Sequence, residues 1–343
     1  MLAENRGRGG KKKKTGKTGN GKMSFTPNTK RVWRDVKNLE VQGAEAVAIA
    51  AVDALSAEMQ AFRGATREFP KHLLETIDFL KSARPTEPAL RNALRFIALQ
   101  AVKSKARDVG ELKLLVAQEA RDYHSRSLAT KLKIAEYGAR LVPRRGNVLL
   151  HCHSSTVMRI LKRAFDGGKR PVVTCLETRP LFQGRKSAAE LSAHGLKVRL
   201  AVDSAMVSVL KEMKDDDCVL VGCDAITAEG DLVNKIGTAP LALAAAEYEK
   251  KFYSATGTHK FDPLTLWGAT EPIEQRAASE VLSAREAAKI GINPRKVGVL
   301  NPAFDLVDAK FVTAYVTELG VIPPQSLLAT VWKEFGLDEK KNY

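Results

Sequence analysis

A thiol at Cys152 and a carboxylate at Asp224 each close a short apolar run, and each run leads into small or polar residues suited to holding phosphate. The first is Val148-Leu149-Leu150-His151-Cys152, followed by His153-Ser154-Ser155-Thr156; the second is Cys218-Val219-Leu220-Val221-Gly222-Cys223-Asp224. The carboxyl ends of strands line the ligand crevice of an open parallel sheet, so residues far apart in sequence can face one substrate from neighbouring strands. The chemistry this allows is acid/base work by a cysteine and an aspartate. Burial at the crevice would raise the pKa of Asp224 toward a useful range, although a helix N-cap is another use for such a position.

Ser154, Ser155 and Thr156 sit where strand gives way to helix, where hydroxyls and free N–H groups make a phosphate cradle; an ordinary Ser/Thr cap is the commoner use. A thiol beside a helix N-terminus can have a lowered pKa and act as base or nucleophile, whereas a lone strand cysteine is most often an inert hydrophobe. His151 and His153 flank it, and residues two apart on a strand share a face. Without a partnered carboxylate or more histidines they do not make a zinc site, and no metal is expected. The GxSxG elbow of Ser-His-Asp hydrolases is absent. Asn234, Lys235 and Lys260 add a carboxamide and two ammonium groups for oxyanions, completing a site for a small phosphorylated substrate. In Glu177-Thr178-Arg179-Pro180-Leu181-Phe182-Gln183, Arg179 and Gln183 can contact such a substrate, or Glu177 can pair with Arg179 and shape the loop.

These groups need a scaffold, and the apolar periodicity supplies one of class α/β. From about Asn28 to Leu141 the pattern is helical: Val41, Ala44, Ala48, Ala51, Val52 and Leu55 recur at three- and four-residue intervals, as do Leu90, Leu94, Ile97 and Val102. Pro85 and Pro88 interrupt the run, and Thr86 can cap the helical stretch after them. Beyond Pro143 the period changes. Strands at 148–152, 171–176, 197–202, 219–222 and 252–255 alternate with helices at 158–165, 188–194, 206–213 and 241–248. Continuously apolar strands separated by helices mean a parallel sheet covered on both faces. The expected organisation is a disordered basic tail over 1–27, a helical subdomain over 28–142, and a Rossmann-like parallel sheet domain over 143–343. No GxGxxG follows the first strand, which disfavours a dinucleotide and implies no redox cofactor.

The chain has 343 residues, 44% of them hydrophobic, enough for a large core. No apolar run approaches the roughly 20 residues that cross a bilayer, and the N-terminus lacks an apolar signal region, so a cytoplasmic protein without membrane contact is expected. The four cysteines form no CxxC pair and should be reduced thiols. Residues 1–22 carry eight Lys and Arg against one Glu, a large share of the net charge of +16. Such a tail is either a solvated appendage or a weak, salt-sensitive tether to nucleic acid. The remaining positive charge suits a small anion.

The motifs His151-Cys152-His153-Ser154-Ser155, Glu177-Thr178-Arg179-Pro180, Gln183-Gly184, Asp203-Ser204-Ala205, Gly222-Cys223-Asp224-Ala225-Ile226, Asn234-Lys235-Ile236-Gly237-Thr238, Lys260-Phe261-Asp262-Pro263 and Asn301-Pro302-Ala303-Phe304-Asp305 occur in this order. The set resembles one superfamily from about Val36 to Pro324. It contains archaeal ribose 1,5-bisphosphate isomerase, methylthioribose-1-phosphate isomerase, and the regulatory α, β and δ subunits of the exchange factor for translation initiation factor two. The resemblance implies Cys152 and Asp224 as the catalytic pair. It implies substrate contacts at Gln42, Gly43, Ala44, Glu45, Arg84, Ser154, Ser155, Thr156, Asn234, Lys235 and Lys260. Retention of the Cys/Asp pair favours an isomerase converting ribose 1,5-bisphosphate to ribulose 1,5-bisphosphate. The alternatives are a regulatory subunit that binds nucleotide or sugar phosphate without turnover, and a methylthioribose-1-phosphate isomerase. A phosphorylated pentose as substrate, a homodimer or homohexamer, and AMP as an effector are further implications. Two positions depart from the family pattern: Gln42 stands where Arg is usual, and His153 where Asn is usual.

Overall fold

The computed structural model describes residues 25–335, apart from Gln42, Thr86, Pro272 and Pro294. The expected basic tail therefore lies outside the described residues up to position 24. Its last three positions do not: Phe25 stacks on Phe79 at 4.4 Å between centroids, and Thr26 and Pro27 cap and start the first helix.

Five helices come first: α1 (Pro27–Lys37), α2 (Ala44–Ala61), α3 (Phe69–Lys81), α4 (Pro88–Lys103) and α5 (Val109–Leu141). Ala44, Ala48, Ala51, Val52 and Leu55 of α2 are all buried, and so are Leu90, Leu94 and Ile97 of α4, as their spacing predicts. Each such leucine or isoleucine contributes about 1.5–3 kcal/mol relative to exposure. Val102 departs from the pattern. It is 65% exposed and Ala101 takes the inward position, because the last turn of α4 rotates the 3.6-residue stripe past it. Pro88 occupies the first position of α4, where its missing N–H costs nothing. The cap position belongs to Glu87, whose side chain makes no cap bond; the expected cap, Thr86, lies outside the described residues.

At 33 residues, α5 is about 50 Å long. Its Leu112, Val116 and Ala120 belong to the helical core, whereas Ile134 joins the core under the sheet. A Cβ on Gly138 would overlap Ile160, so α5 lies close on the next helix.

The second half runs β1 (Asn147–His151), α6 (Ser155–Asp166), β2 (Val172–Leu176), α7 (Gln183–Ala193), β3 (Lys197–Ala201), α8 (Met206–Glu212), β4 (Cys218–Val221), β5 (Ala225–Ile226), β6 (Leu232–Lys235) and α9 (Thr238–Glu247). It continues with β7 (Lys251–Ala255), α10 (Ala284–Lys289), β8 (Phe304–Val307), β9 (Ala314–Thr317), β10 (Gly320–Ile322) and α11 (Pro324–Phe335). Seven strands form one sheet in the order β10-β9-β7-β4-β1-β2-β3, parallel except for β10 against β9. Val148 and Leu150 feed the core on one face and Leu149 the core on the other, which is why β1 reads as continuously apolar. This is the expected α/β architecture, a helical part followed by a mainly parallel sheet.

The small antiparallel sheet β5-β6-β8 has no counterpart in the sequence-based expectations. It pairs Asn234 with Asp305 and Lys235 with Phe304, and so places the end of β6 beside the carboxyl end of β4. No helix among the described residues is long and apolar enough to cross a membrane.

Candidate active site

β1 and β4 are neighbours, with His151 opposite Val221, so Cys152 and Asp224 leave the same edge of the sheet from adjacent strands. They line one cavity of about 420 Å³. Every described residue implied for the site lines it too: Gly43, Ala44, Glu45, Arg84, Ser154, Ser155, Thr156, Asn234, Lys235 and Lys260. Gln42 lies outside the described residues.

The backbone at Cys152 turns out of β1 with φ +67°, a left-handed conformation uncommon for a residue with a Cβ. A chain of bonds fixes it. The Cys152 N–H donates to Thr178 Oγ1 at 2.8 Å, while the N–H groups of Thr178 and Arg179 donate to the two oxygens of Asp203 at 2.7 Å each. The thiol points to Gln183 Oε1 at 3.5 Å, as donor. Burial pushes the thiol up to about 12, against the pull of Lys235 and with the push of Asp224. Of the two readings of this thiol, desolvation favours the buried, protonated one over a thiol lowered by the α6 terminus.

The two histidines turn to different partners. His151 is buried, bonds the Ile236 carbonyl through Nε2 at 2.8 Å, and is held neutral chiefly by burial. Its ring needs Gly237, since a Cβ there would approach it to 2.9 Å. His153 bonds Ser187 Oγ through Nδ1 at 3.0 Å. Among the described residues no group of three His, Cys, Asp or Glu could hold a metal ion.

Ser154 caps α6, accepting from the Val157 N–H at 3.4 Å, and lines the cavity as well. Gly222 lets the turn approach, because a Cβ there would stand 2.8 Å from Ser154 Cβ. Asp224 is followed by β5, not by a helix, which removes the N-cap alternative; its N–H donates to Val233 O at 2.8 Å. Lys260 reaches under this turn and donates to the Cys223 carbonyl at 2.5 Å. Asn234 is buried and its amide donates to Thr238 Oγ1 at 3.0 Å, while the Lys235 ammonium stands 4.9 Å over the Phe304 ring.

The opposite wall is helical. Glu45 is engaged by Lys131 at 2.5 Å and by Ser127; burial raises its pKa, but these two donors outweigh it and hold the carboxylate low. Arg84 stands 3.7 Å from Glu274, which also pairs with Arg276 at 3.1 Å. Asn92 of α4 ties this wall to the segment after β7, donating to the carbonyls of His259 at 2.8 Å and Phe261 at 2.9 Å.

The loop after β2 corrects one expectation. Glu177 pairs with Arg185 at 2.8 Å, not with Arg179, whose guanidinium donates to the Val281 carbonyl; Gln183 alone of the two proposed contacts lines the cavity. Glu87, Lys131, Lys186, His259 and Arg276 line it without having been singled out in the sequence. Lys186 follows Gln183 by less than one helical turn and His259 precedes Lys260, which are usable signals. For Glu87 the Arg84-Pro85-Thr86-Glu87-Pro88 break is a signal of loop geometry alone.

A model of the Initiation factor 2 subunit family matches residues 40–324. The chain is 37% identical over 320 residues to a ribose 1,5-bisphosphate isomerase of Methanocaldococcus jannaschii, covering 93% of this chain and 99% of that one. Among solved structures, Pyrococcus horikoshii translation initiation factor eIF-2B matches with a TM-score of 0.73 at 25% identity, over 88% of this chain and 98% of that one. The 5-methylthioribose 1-phosphate isomerase of the same organism matches with a TM-score of 0.72 at 31% identity, over 89% and 88%.

Proposed function

We propose, from the premise that this chain belongs to the initiation factor 2 subunit family, that it is an isomerase converting ribose 1,5-bisphosphate to ribulose 1,5-bisphosphate. The observation that carries this reading is the meeting of Cys152 and Asp224 at adjacent strand ends, in a cavity also lined by Arg84, Lys186, Lys235 and Lys260. These cations, beside the free N–H groups of the α6 terminus, suit a substrate with two phosphates. The likeness to the Methanocaldococcus enzyme supports the same substrate.

A phosphate on O1 prevents the sugar ring from opening to a free aldehyde, so ring opening and proton removal from C2 must be coupled. The thiol carries its proton in the cavity. Its transfer to the Asp224 carboxylate gives a thiolate and a carboxylic acid with no net change in protons. Asp224 then protonates the departing ring oxygen as Cys152 takes the C2 proton, leaving a C1–C2 enol that still carries its O1 phosphate. Asp224 accepts the O2 proton, Cys152 returns its proton to C1, and the ketose is complete. The cations stabilise charge that develops on oxygen during these steps. A homo-oligomer and an AMP effector are part of the same proposal.

The test is turnover of α-ribose 1,5-bisphosphate by the full chain, with Cys152→Ser and Asp224→Asn alongside. Formation of ribulose 1,5-bisphosphate that falls by about 10²–10⁴ in each variant is the expected result. Turnover of methylthioribose 1-phosphate in its place would transfer the mechanism to that substrate. Binding of either sugar without any turnover would make the protein a regulatory subunit.

A further inference from the structure

Glu87 stands out among the groups that the mechanism leaves unused. It is 3% exposed, lines the cavity that holds Cys152 and Asp224, and has a buried Oε1 with no hydrogen-bond partner. It stands at the cap position before Pro88, and its side chain makes no cap bond. Nor is it neutralised directly. Arg91 donates to Asp262 at 2.8 Å and to the Pro85 carbonyl, Lys260 donates to the Cys223 carbonyl, and Arg84 leans toward Glu274. Among the described residues Glu87 forms no ion pair.

A buried carboxyl oxygen without a partner is costly, more so if charged, and a ligand in the adjoining cavity can supply that partner. The groups that face Glu87 electrostatically are Asp224, at the end of β4; Arg84 and Arg91, on either side of it; and Lys260, after β7. It acts in turn on Cys223, Tyr123 and Glu271. Burial, and then the Asp224 charge, push its carboxyl up to about 7 against the three cations, so it carries a proton through the mildly acidic range.

We infer that Glu87 is a third proton-bearing group of the site, whose carboxylic O–H donates a hydrogen bond to a hydroxyl oxygen of the bound sugar. This rests on the isomerase reading for the identity of the ligand, and on a buried carboxyl that lines the cavity with an unpartnered oxygen for the contact. Glu87 then selects a sugar oxygen from the helical wall, while Cys152 and Asp224 work from the strand ends.

Calorimetric binding of ribulose 1,5-bisphosphate at pH 6 and pH 8.5 to the wild type, Glu87→Gln and Glu87→Leu tests it. The wild type should lose about tenfold in affinity between the two pH values beyond whatever Glu87→Gln loses, since the amide keeps a donor and cannot titrate. Glu87→Leu should bind about tenfold more weakly than Glu87→Gln at both. Equal pH dependence in the wild type and Glu87→Gln would overturn the inference, as would full affinity in Glu87→Leu; Glu87→Gln, nearly isosteric, decides if the leucine variant does not fold. Infrared spectra of the free proteins separate this failure from that of the isomerase reading. If no sugar phosphate binds at all, the function is wrong, and a protonated-carboxyl band at pH 6 that Glu87→Gln removes still places the proton on Glu87. Absence of that band in the wild type removes Glu87 from the site.

Discussion

The cavity has two sides built on different principles. On the sheet side, the turns after β1 and β4 are fixed through their backbones: Cys152 is held at positive φ by Thr178, which is held by Asp203, and Asp224 is held by Val233. On the helical side, the groups come from α2, α5 and the turn between α3 and α4, and the side chains carry the work. Glu45, Arg84, Glu87 and Lys131 meet the cavity with charges that are paired, shared or left open. The sheet side fixes where Cys152 and Asp224 stand and also presents Lys186, Lys235 and Lys260, while the helical side adds Glu45, Arg84, Glu87 and Lys131. The backbone frame under Cys152 and the charged helical wall can therefore be altered separately.

Asp203→Ala breaks the first side without touching the cavity. It removes the acceptor for two backbone N–H groups, frees Thr178 and lets Cys152 leave its conformation. A loss of about 10² in kcat with little change in KM is expected, read by steady-state kinetics. An equal loss in KM would mean that the two sides are not separable.

Arg84→Ala acts on the second side, with the opposite signature. Loss of a cation that lines the cavity should lower kcat/KM for the proposed sugar phosphate by about tenfold, mostly through KM, with the wild-type dependence on salt reduced. A change confined to kcat would place Arg84 with the strand ends.

Glu58→Gln sharpens the contrast from outside both. Glu58 is buried under α1 and accepts from the Thr26 N–H at 2.9 Å, Thr26 Oγ1 at 2.7 Å and Thr29 Oγ1 at 2.6 Å. Burial raises its pKa, but these donors outweigh it and hold the carboxyl below its ordinary value. Its contribution is therefore present above the unfolded value of about 4.3 and is lost as pH falls through the folded one. The variant should lose about 1.5–3 kcal/mol at pH 7 by denaturant unfolding, a gap that closes below about pH 4, with kinetics unchanged.

The sheet side was the more legible of the two in the sequence. The apolar runs of β1, β2, β4 and β7 stand out because both faces of the sheet are covered, and Cys152 and Asp224 follow from strand ends alone. What escaped was non-local. β5 has two residues, and β8 closes the small sheet from residues 304–307, far beyond any periodicity window. Glu87 escaped for another reason: it falls between Pro85 and Pro88, which announce a turn and nothing about where a carboxyl ends up. The raised thiol of Cys152 also depends on burial, a property of the assembled cavity and not of the helix terminus beside it.

One helix passes from the core of the first half to the core of the second, and its Ser127, Thr130, Lys131 and Ile134 face the cavity between. This makes the length of α5 a register as well as a distance. A single residue inserted between Ala120 and Ser127 would turn everything after it by about 100° and advance it by about 1.5 Å. Lys131 would swing away from Glu45, and Gly138 away from Ile160. Lineages of this chain can gain or lose residues in their surface loops, but α5 should keep its residue count across descendants, changing by substitution alone.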